Sequence, residues 1–145
     1  MRRIRRSRPA DGEQLVAIWR SAIDATPDFV DPVDREAIDN DVQAFLPQSE
    51  VWLAVDEQDV GIGFMGLADG EVESLFIAAA HRGKGLGRQF IEFARSAHAS
   101  LTVAVNEQND QAIGFYRHLG FVVIGRSPTD AFGRPYPLLH LHLTG

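Results

Sequence analysis

Apolar positions recur along this chain with two different periods, and the switches between them outline its elements. Leu15, Ile18, Trp19, Ala22 and Ile23 stand three and four apart, the spacing that lines side chains along one face of a helix. Pro9-Ala10-Asp11-Gly12 precedes them, with Asp11 the predicted N-cap. A second helix is predicted from Asp34, with Ile38, Val42, Phe45 and Leu46 on one side and Pro47 as its stop. Then the period shortens. Residues 51–55 and 60–68 read as antiparallel strands joined by the polar turn 56–59, and Gly61, Gly63 and Gly66 in the second of them mark bulges or a close backbone approach. The turn dipeptide Asp69-Gly70 leads into a strand over 71–77.

Helical spacing returns over about 85–99, where Leu86, Phe90, Phe93, Ala94 and Ala97 share one face and Arg88, Glu92 and Arg95 take the other. Residues 101–105 form a short apolar run, the expected buried strand of a β-α-β unit. Asn109 is the predicted N-cap of a further helix with Ala112, Ile113, Tyr116 and Leu119 near one face, and Gly120 stops it before a strand over 121–125. A polar loop over 127–135 precedes a last strand over 136–143. At the other end, Ile4 sits among Arg2, Arg3, Arg5, Arg6 and Arg8 in a predicted first strand, where arginine stems can cover apolar surface.

Composition narrows the class. At 145 residues and 45% hydrophobic content the chain suits a single domain over 1–145 with a core of its own. Cysteine is absent, which excludes a disulfide framework, a catalytic thiol and thiolate metal sites. No apolar run approaches the roughly 20 residues of a membrane span, and the basic N-terminus lacks the apolar centre of a secretory signal. The expectation is a cytoplasmic protein that does not engage a membrane. A net charge of -6 gives the whole chain no footprint for nucleic acid. Between Asp24 and Asp59 eleven acids face one base, Arg35, either a solvated face or an acidic rim that attracts a cationic acceptor. Trp19, Phe29 and Val30 are core residues or, alternatively, pocket lining. His140 and His142 share one face of the last strand, but the polar outer face of an edge strand accounts for them, and no metal is expected.

The chemistry concentrates in Arg82-Gly83-Lys84-Gly85-Leu86-Gly87. It follows a strand and opens a helix, and three residues without Cβ let backbone N–H groups approach an oxyanion such as a diphosphate. The P-loop pattern fails, because no Ser or Thr follows a Lys, and the dinucleotide fingerprint lacks its third glycine. Arg82, Gly85 and Gly87 do fit [QR]-x-x-G-x-[GA], and in this the segment resembles the acetyl-CoA loop of the GNAT N-acetyltransferases. The run 106–121, of the form N-x-x-N-x-x-A-x-x-F-Y-x-x-x-G-F, resembles that family's second signature. Gly125-Arg126-Ser127 with 133–139 further resembles the bacterial YjaB-type branch.

The resemblance implies an α/β (α+β) fold: a mixed central sheet of about seven strands flanked by about four helices, splayed to admit acetyl-CoA. It implies that Arg82, Gly83, Lys84, Gly85, Leu86, Gly87 and Arg88 hold the diphosphate, that backbone groups of Leu75 and Ile77 pair with the pantetheine arm, and that Asn109 hydrogen-bonds it. A backbone N–H near Phe76 or Ile77 would polarise the thioester carbonyl, with Phe115 beside the cosubstrate. Tyr116 takes the position of the general acid for the departing thiolate. Glu73, with Glu71 second, is the candidate base for the acceptor, a small-molecule or peptide amine, and a water chain is the alternative. A monomer or homodimer fits the family. A CoA-binding sensor without turnover and a plain nucleotide-binding domain are the rival readings.

Overall fold

The structure, a computed structural model, describes residues 3–25, 31–130 and 133–144. Its strands are β1 (Arg3–Arg6), β2 (Trp52–Val55), β3 (Gly61–Ala68), β4 (Glu71–Ile77), β5 (Ser100–Asn106), β6 (Val122–Ser127) and β7 (Leu138–Thr144). Its helices are α1 (Gly12–Asp24), α2 (Pro32–Phe45), α3 (Leu86–Ala97) and α4 (Asp110–His118). The sheet is mixed and open, in the order β1-β2-β3-β4-β5-β7-β6, the seven strands and four helices expected. By contacts the chain divides into two compact units, residues 1–66 with 74–90 and residues 67–73 with 91–145.

The first unit is built on β1, β2 and β3, which pair antiparallel from Arg3↔Val55 through Leu53↔Phe64. Its core gathers Leu15, Ile18, Trp19, Val51, Leu53, Val55 and Phe64, with Ile38, Val42, Leu46 and Phe76 packed against it. Trp19 belongs to this core, and Arg35 covers its ring at 5.3 Å. Phe29 and Val30 lie outside the described residues. The second helix begins earlier than the periodicity predicts, because Asp31 caps it by accepting from the Val33 N–H at 2.9 Å and Pro32 fits the first helical position. Phe45, expected on the buried side, is 68% exposed. It is the last residue of α2, which gives way there to a 3-10 turn, Leu46–Gln48.

Arg3, Arg5, Arg6 and Arg8 are engaged rather than free. Arg6 lies over the Trp52 ring at 4.8 Å and bonds Glu50, while Arg3, Arg5 and Arg8 converge on Asp59 in the β2–β3 turn. Asp59 and Asp11 clamp Arg5 between them. Asp11 stands at the N-cap of α1 as predicted, but its side chain makes no capping hydrogen bond. Its carboxylate accepts both Arg5 Nη atoms at 2.9 and 3.1 Å and the Arg8 backbone N–H at 2.7 Å, so no oxygen turns to the helix. The Arg5 bonds outweigh the cost of burial and lower the Asp11 pKa from 3.8 to about 2. A folded value below the unfolded one contributes stability above about pH 4, which is lost as pH falls toward 2. The drop from 3.8 to about 2 corresponds to about 2.5 kcal/mol. Urea unfolding at pH 7 should therefore show Asp11→Asn less stable by about 2–3 kcal/mol, with variant and wild type converging near pH 2.

The second unit pairs β5 with β7 antiparallel over its whole length, β7 with β6, and β4 with β5 in parallel at Glu71↔Thr102 and Val72↔Val103. Asp69 and Gly70 both take positive φ, 50° and 82°, in the predicted turn. Leu101, Val103, Val105, Leu141 and Leu143 are buried and alternate with open positions. The last strand is not an edge strand. β7 lies between β5 and β6, because the 127–135 connection returns the chain inside β6, and the histidine pair therefore stands on an interior strand.

Candidate active site

In the first unit the glycine loop is held from three sides. The Ala78 N–H donates to the Ile62 carbonyl at 2.9 Å, the Ala79 N–H to Ser21 Oγ at 2.9 Å, and the Arg82 guanidinium to the Ala25 carbonyl at 3.3 Å. Ser21, a polar position on α1 with no sequence signal of a role, thus anchors the 3-10 turn Ala79–His81. Arg82 buttresses the loop from α1. Leu86 is buried at the start of α3 and fixes the helix against the same unit. A Cβ on Gly63 would lie 3.0 Å from the Leu86 and Ile77 side chains and 3.1 Å from the Phe76 carbonyl, the close approach that the glycines of this strand announce.

The three loop glycines are not alike. Gly83 and Gly85 adopt φ of 73° and 82°, the left-handed region that favours glycine, and the space where their Cβ atoms would stand is open. Gly87 lies inside α3 at a position with no positive φ. The N–H groups of Leu86, Gly87 and Arg88 open α3 ahead of its first recorded bond to the turn behind, from Gln89 to the Gly85 carbonyl at 3.0 Å. Opening N–H groups of a helix have no intrahelical acceptor, and they carry the positive end of its dipole. Lys84 and Arg88 are exposed beside them. An open cradle, unspent N–H donors and two cations fit a diphosphate. Leu75, Phe76 and Ile77 form the last three residues of β4, half-buried, with the Phe76 ring against Phe64 at 5.5 Å.

In the second unit, Asn109 caps α4 as predicted, its carboxamide oxygen accepting from the Ala112 N–H at 3.1 Å. That leaves its NH2 as the group able to donate to a ligand carbonyl. Tyr116 is buried, its ring edge-on to Phe115 at 5.1 Å and Phe121 at 5.2 Å. Burial pushes the phenol above its ordinary value, so it is a protonated donor at neutral pH. No hydrogen bond ties its hydroxyl to another of the described residues. Glu71 and Glu73 point from one face of β4 and are exposed. Among the described residues no ion pair involves either of them. No group of three or more His, Asp or Glu among the described residues is placed to hold a metal ion.

Four acids of the acidic stretch are matched by arginine. Asp24 pairs with Arg35, Asp39 with Arg20, Glu50 with Arg6 and Asp59 with Arg3, Arg5 and Arg8. The local excess of eleven acids over one base omits five of these partners, Arg3, Arg5, Arg6, Arg8 and Arg20, all of which precede the stretch in sequence. No helix of the described residues is long and apolar enough to cross a membrane.

The model of the GNAT acetyltransferase domain matches residues 47–123. The chain is 49% identical to the peptidyl-lysine N-acetyltransferase YjaB of Escherichia coli over 98% of this chain and 97% of that protein. The solution structure of apo YjaB from Escherichia coli superposes with a TM-score of 0.95 at 48% identity, covering 100% of this chain and 99% of that one. The solved yncA acetyltransferase of Salmonella typhimurium, which holds its cofactor acetyl-CoA, superposes with a TM-score of 0.64 at 26% identity, over 99% of this chain and 94% of its own.

Proposed function

We propose, from the premise that the chain belongs to the GNAT acetyltransferase family and is an N-acetyltransferase, that residues 1–145 act as one domain transferring the acetyl group of acetyl-CoA to lysine side chains of a peptide or protein. The observation that carries the acceptor is the near full-length similarity to a peptidyl-lysine N-acetyltransferase. The open cradle at Gly83 and Gly85 supports the cosubstrate.

Acetyl-CoA, when bound, supplies the activated acyl group as a thioester. The chain's residues then divide the work. The N–H groups of Leu86, Gly87 and Arg88, with the backbone of Gly83 and Gly85, hold the diphosphate, and the Lys84 and Arg88 side chains add positive charge beside it. Backbone groups of Leu75 and Ile77 pair with the pantetheine arm, and the Asn109 NH2 donates to one of its carbonyls. An N–H at Phe76 or Ile77 polarises the thioester carbonyl where negative charge gathers during attack. Phe115 shields that end of the arm.

Two proton movements remain. A lysine amine with a pKa of about 10.4 is neutral in only on the order of one molecule in two thousand at pH 7, so its ammonium must be bound and deprotonated before attack. Glu73, with Glu71 beside it, offers the carboxylate that binds the ammonium and receives its hydrogen bond. Tyr116, protonated and with its hydroxyl uncommitted, donates to the departing thiolate.

The test is release of CoA thiol from acetyl-CoA in the presence of an N-terminally blocked lysine peptide, a polyamine and a free amino acid, followed by mass spectrometry. Peptide-stimulated release with one acetyl group on the lysine is the expected result. Stimulation by the polyamine or amino acid alone would replace the peptide acceptor with a small molecule.

A further inference from the structure

The second unit's part of the sheet has two unlike faces. Val72, Leu101, Val103, Val105, Leu141 and Leu143 close one of them. The other stays open. Register puts Glu71 beside Thr102, Thr102 beside His142, and Ala104 beside His140, so these side chains, with Glu73 two residues after Glu71, project from a single side. Glu71, Glu73 and Ala104 are exposed and both histidines half-buried. From β4 to β7 is two strand spacings, about 10 Å. In the row of His140 the residue on the intervening strand is the exposed Ala104, whose side chain is a single methyl.

His140 is the oriented member of the pair. Ser127 Oγ on β6 lies 2.6 Å from its Nε2, which commits that nitrogen and leaves Nδ1. His142 has a longer contact, 3.3 Å, to the exposed Thr144 hydroxyl. The groups facing His140 are Ala104 and Thr102 from β5, Gly125 and Ser127 from β6, His142 on its own strand, and beyond β5 the carboxylates of Glu71 and Glu73. An imidazole is a stronger base than a carboxylate, and it is therefore the better match to an ammonium donor.

We propose that the acceptor lysine approaches over this open face, its ammonium drawn by Glu71 and Glu73, and that His140, oriented by Ser127, takes the first proton the ammonium sheds. This rests on the peptidyl-lysine reading above and names the base within it. Going from ammonium to amide, nitrogen loses two protons. The first passes to His140 Nδ1 and on to solvent. The second is lost as the C–N bond forms and the C–S bond breaks, and one proton leaves with sulfur as the CoA thiol. Carboxylates bind the cation, and the imidazole accepts its proton.

The experiment is kcat/KM for a lysine peptide from pH 6 to 9 with the wild type, His140→Gln, Ser127→Ala and, as a control, the exposed α4 residue change His118→Gln, with acetyl-CoA affinity measured by calorimetry for each. The wild type and His118→Gln should rise and level off near neutrality. His140→Gln should fall about 100-fold at pH 7 with unchanged acetyl-CoA affinity, and its rate should climb without levelling as the amine itself deprotonates. Ser127→Ala should shift the wild-type inflection. A His140→Gln enzyme that keeps the levelling, or a Ser127→Ala enzyme indistinguishable from wild type if His140→Gln does not fold, overturns the assignment while the peptidyl-lysine reading stands. A wild type that acetylates no lysine peptide takes down both.

Discussion

Replacing Tyr116 with phenylalanine is expected to lower kcat about 100-fold and to leave the affinity for acetyl-CoA within about twofold of wild type. Removing a proton donor commonly costs 10²–10⁴-fold, and the effect falls on kcat because the hydroxyl is needed as sulfur departs rather than when the cosubstrate binds. The ring itself is core. It lies between Phe115 and Phe121, and phenylalanine preserves both edge-on contacts, so the fold should survive the change. Only the hydroxyl, which no other described residue engages, is lost. Burial raises the phenol's pKa, so Tyr116 stays protonated through pH 9 and should impose no fall in activity on the alkaline side below that. Single-turnover measurement of CoA thiol release, with calorimetry beside it, separates the two quantities. An equal loss in binding and turnover would make Tyr116 a wall of the site instead of a donor.

How far these residues could be read beforehand depended on whether their signals were local. The bounds of β4, the turn at Asp69-Gly70 and the Asn109 cap follow from adjacent residues, and the structure has all three where periodicity and turn chemistry put them. Asp11 holds the predicted N-cap position but does not bond the helix, because its competing partner, Arg5, lies on another element. A guanidinium offering two hydrogen bonds outcompeted the helix N–H groups for the same carboxylate. The acidic stretch, read as a solvated face or an acidic rim, has a similar long-range component. Counting charge along the chain ignores arginines brought to it from β1 and α1. Ile91, buried on α3, was missed in favour of Ala97, which is exposed, since a face drawn at strict spacing slips by one position over three turns. His140 and His142 were set aside as an outer edge. Strand order is a long-range property, and nothing within 136–143 discloses that β6 lies beyond it.

Gly85→Val carries the other large expected effect, the loss of acetyl-CoA binding by at least about 100-fold with the protein still folded. Two costs act on different states. A β-branched residue at φ 82° strains the backbone by about 1–3 kcal/mol, which lowers stability or moves the loop. The new side chain meets no protein atom, because nothing lies within 4 Å of the Cβ position. The space it fills is the open side of the cradle, where a diphosphate must come within hydrogen-bond distance of the loop N–H groups. Gly114 makes the control, since its Cβ position in α4 is equally open and its φ ordinary. Gly114→Ala should bind as the wild type does and gain stability of roughly 0.5–1 kcal/mol, the helix preference of alanine. Gly87→Ala completes the series. With no positive φ to satisfy, any loss of affinity there comes from crowding the helix N-terminus alone. Calorimetric titration of the three variants with acetyl-CoA and with CoA orders the contributions. If Gly85→Val is folded and binds CoA as tightly as wild type, the loop does not hold the diphosphate, and the glycines serve only the turn from β4 into α3.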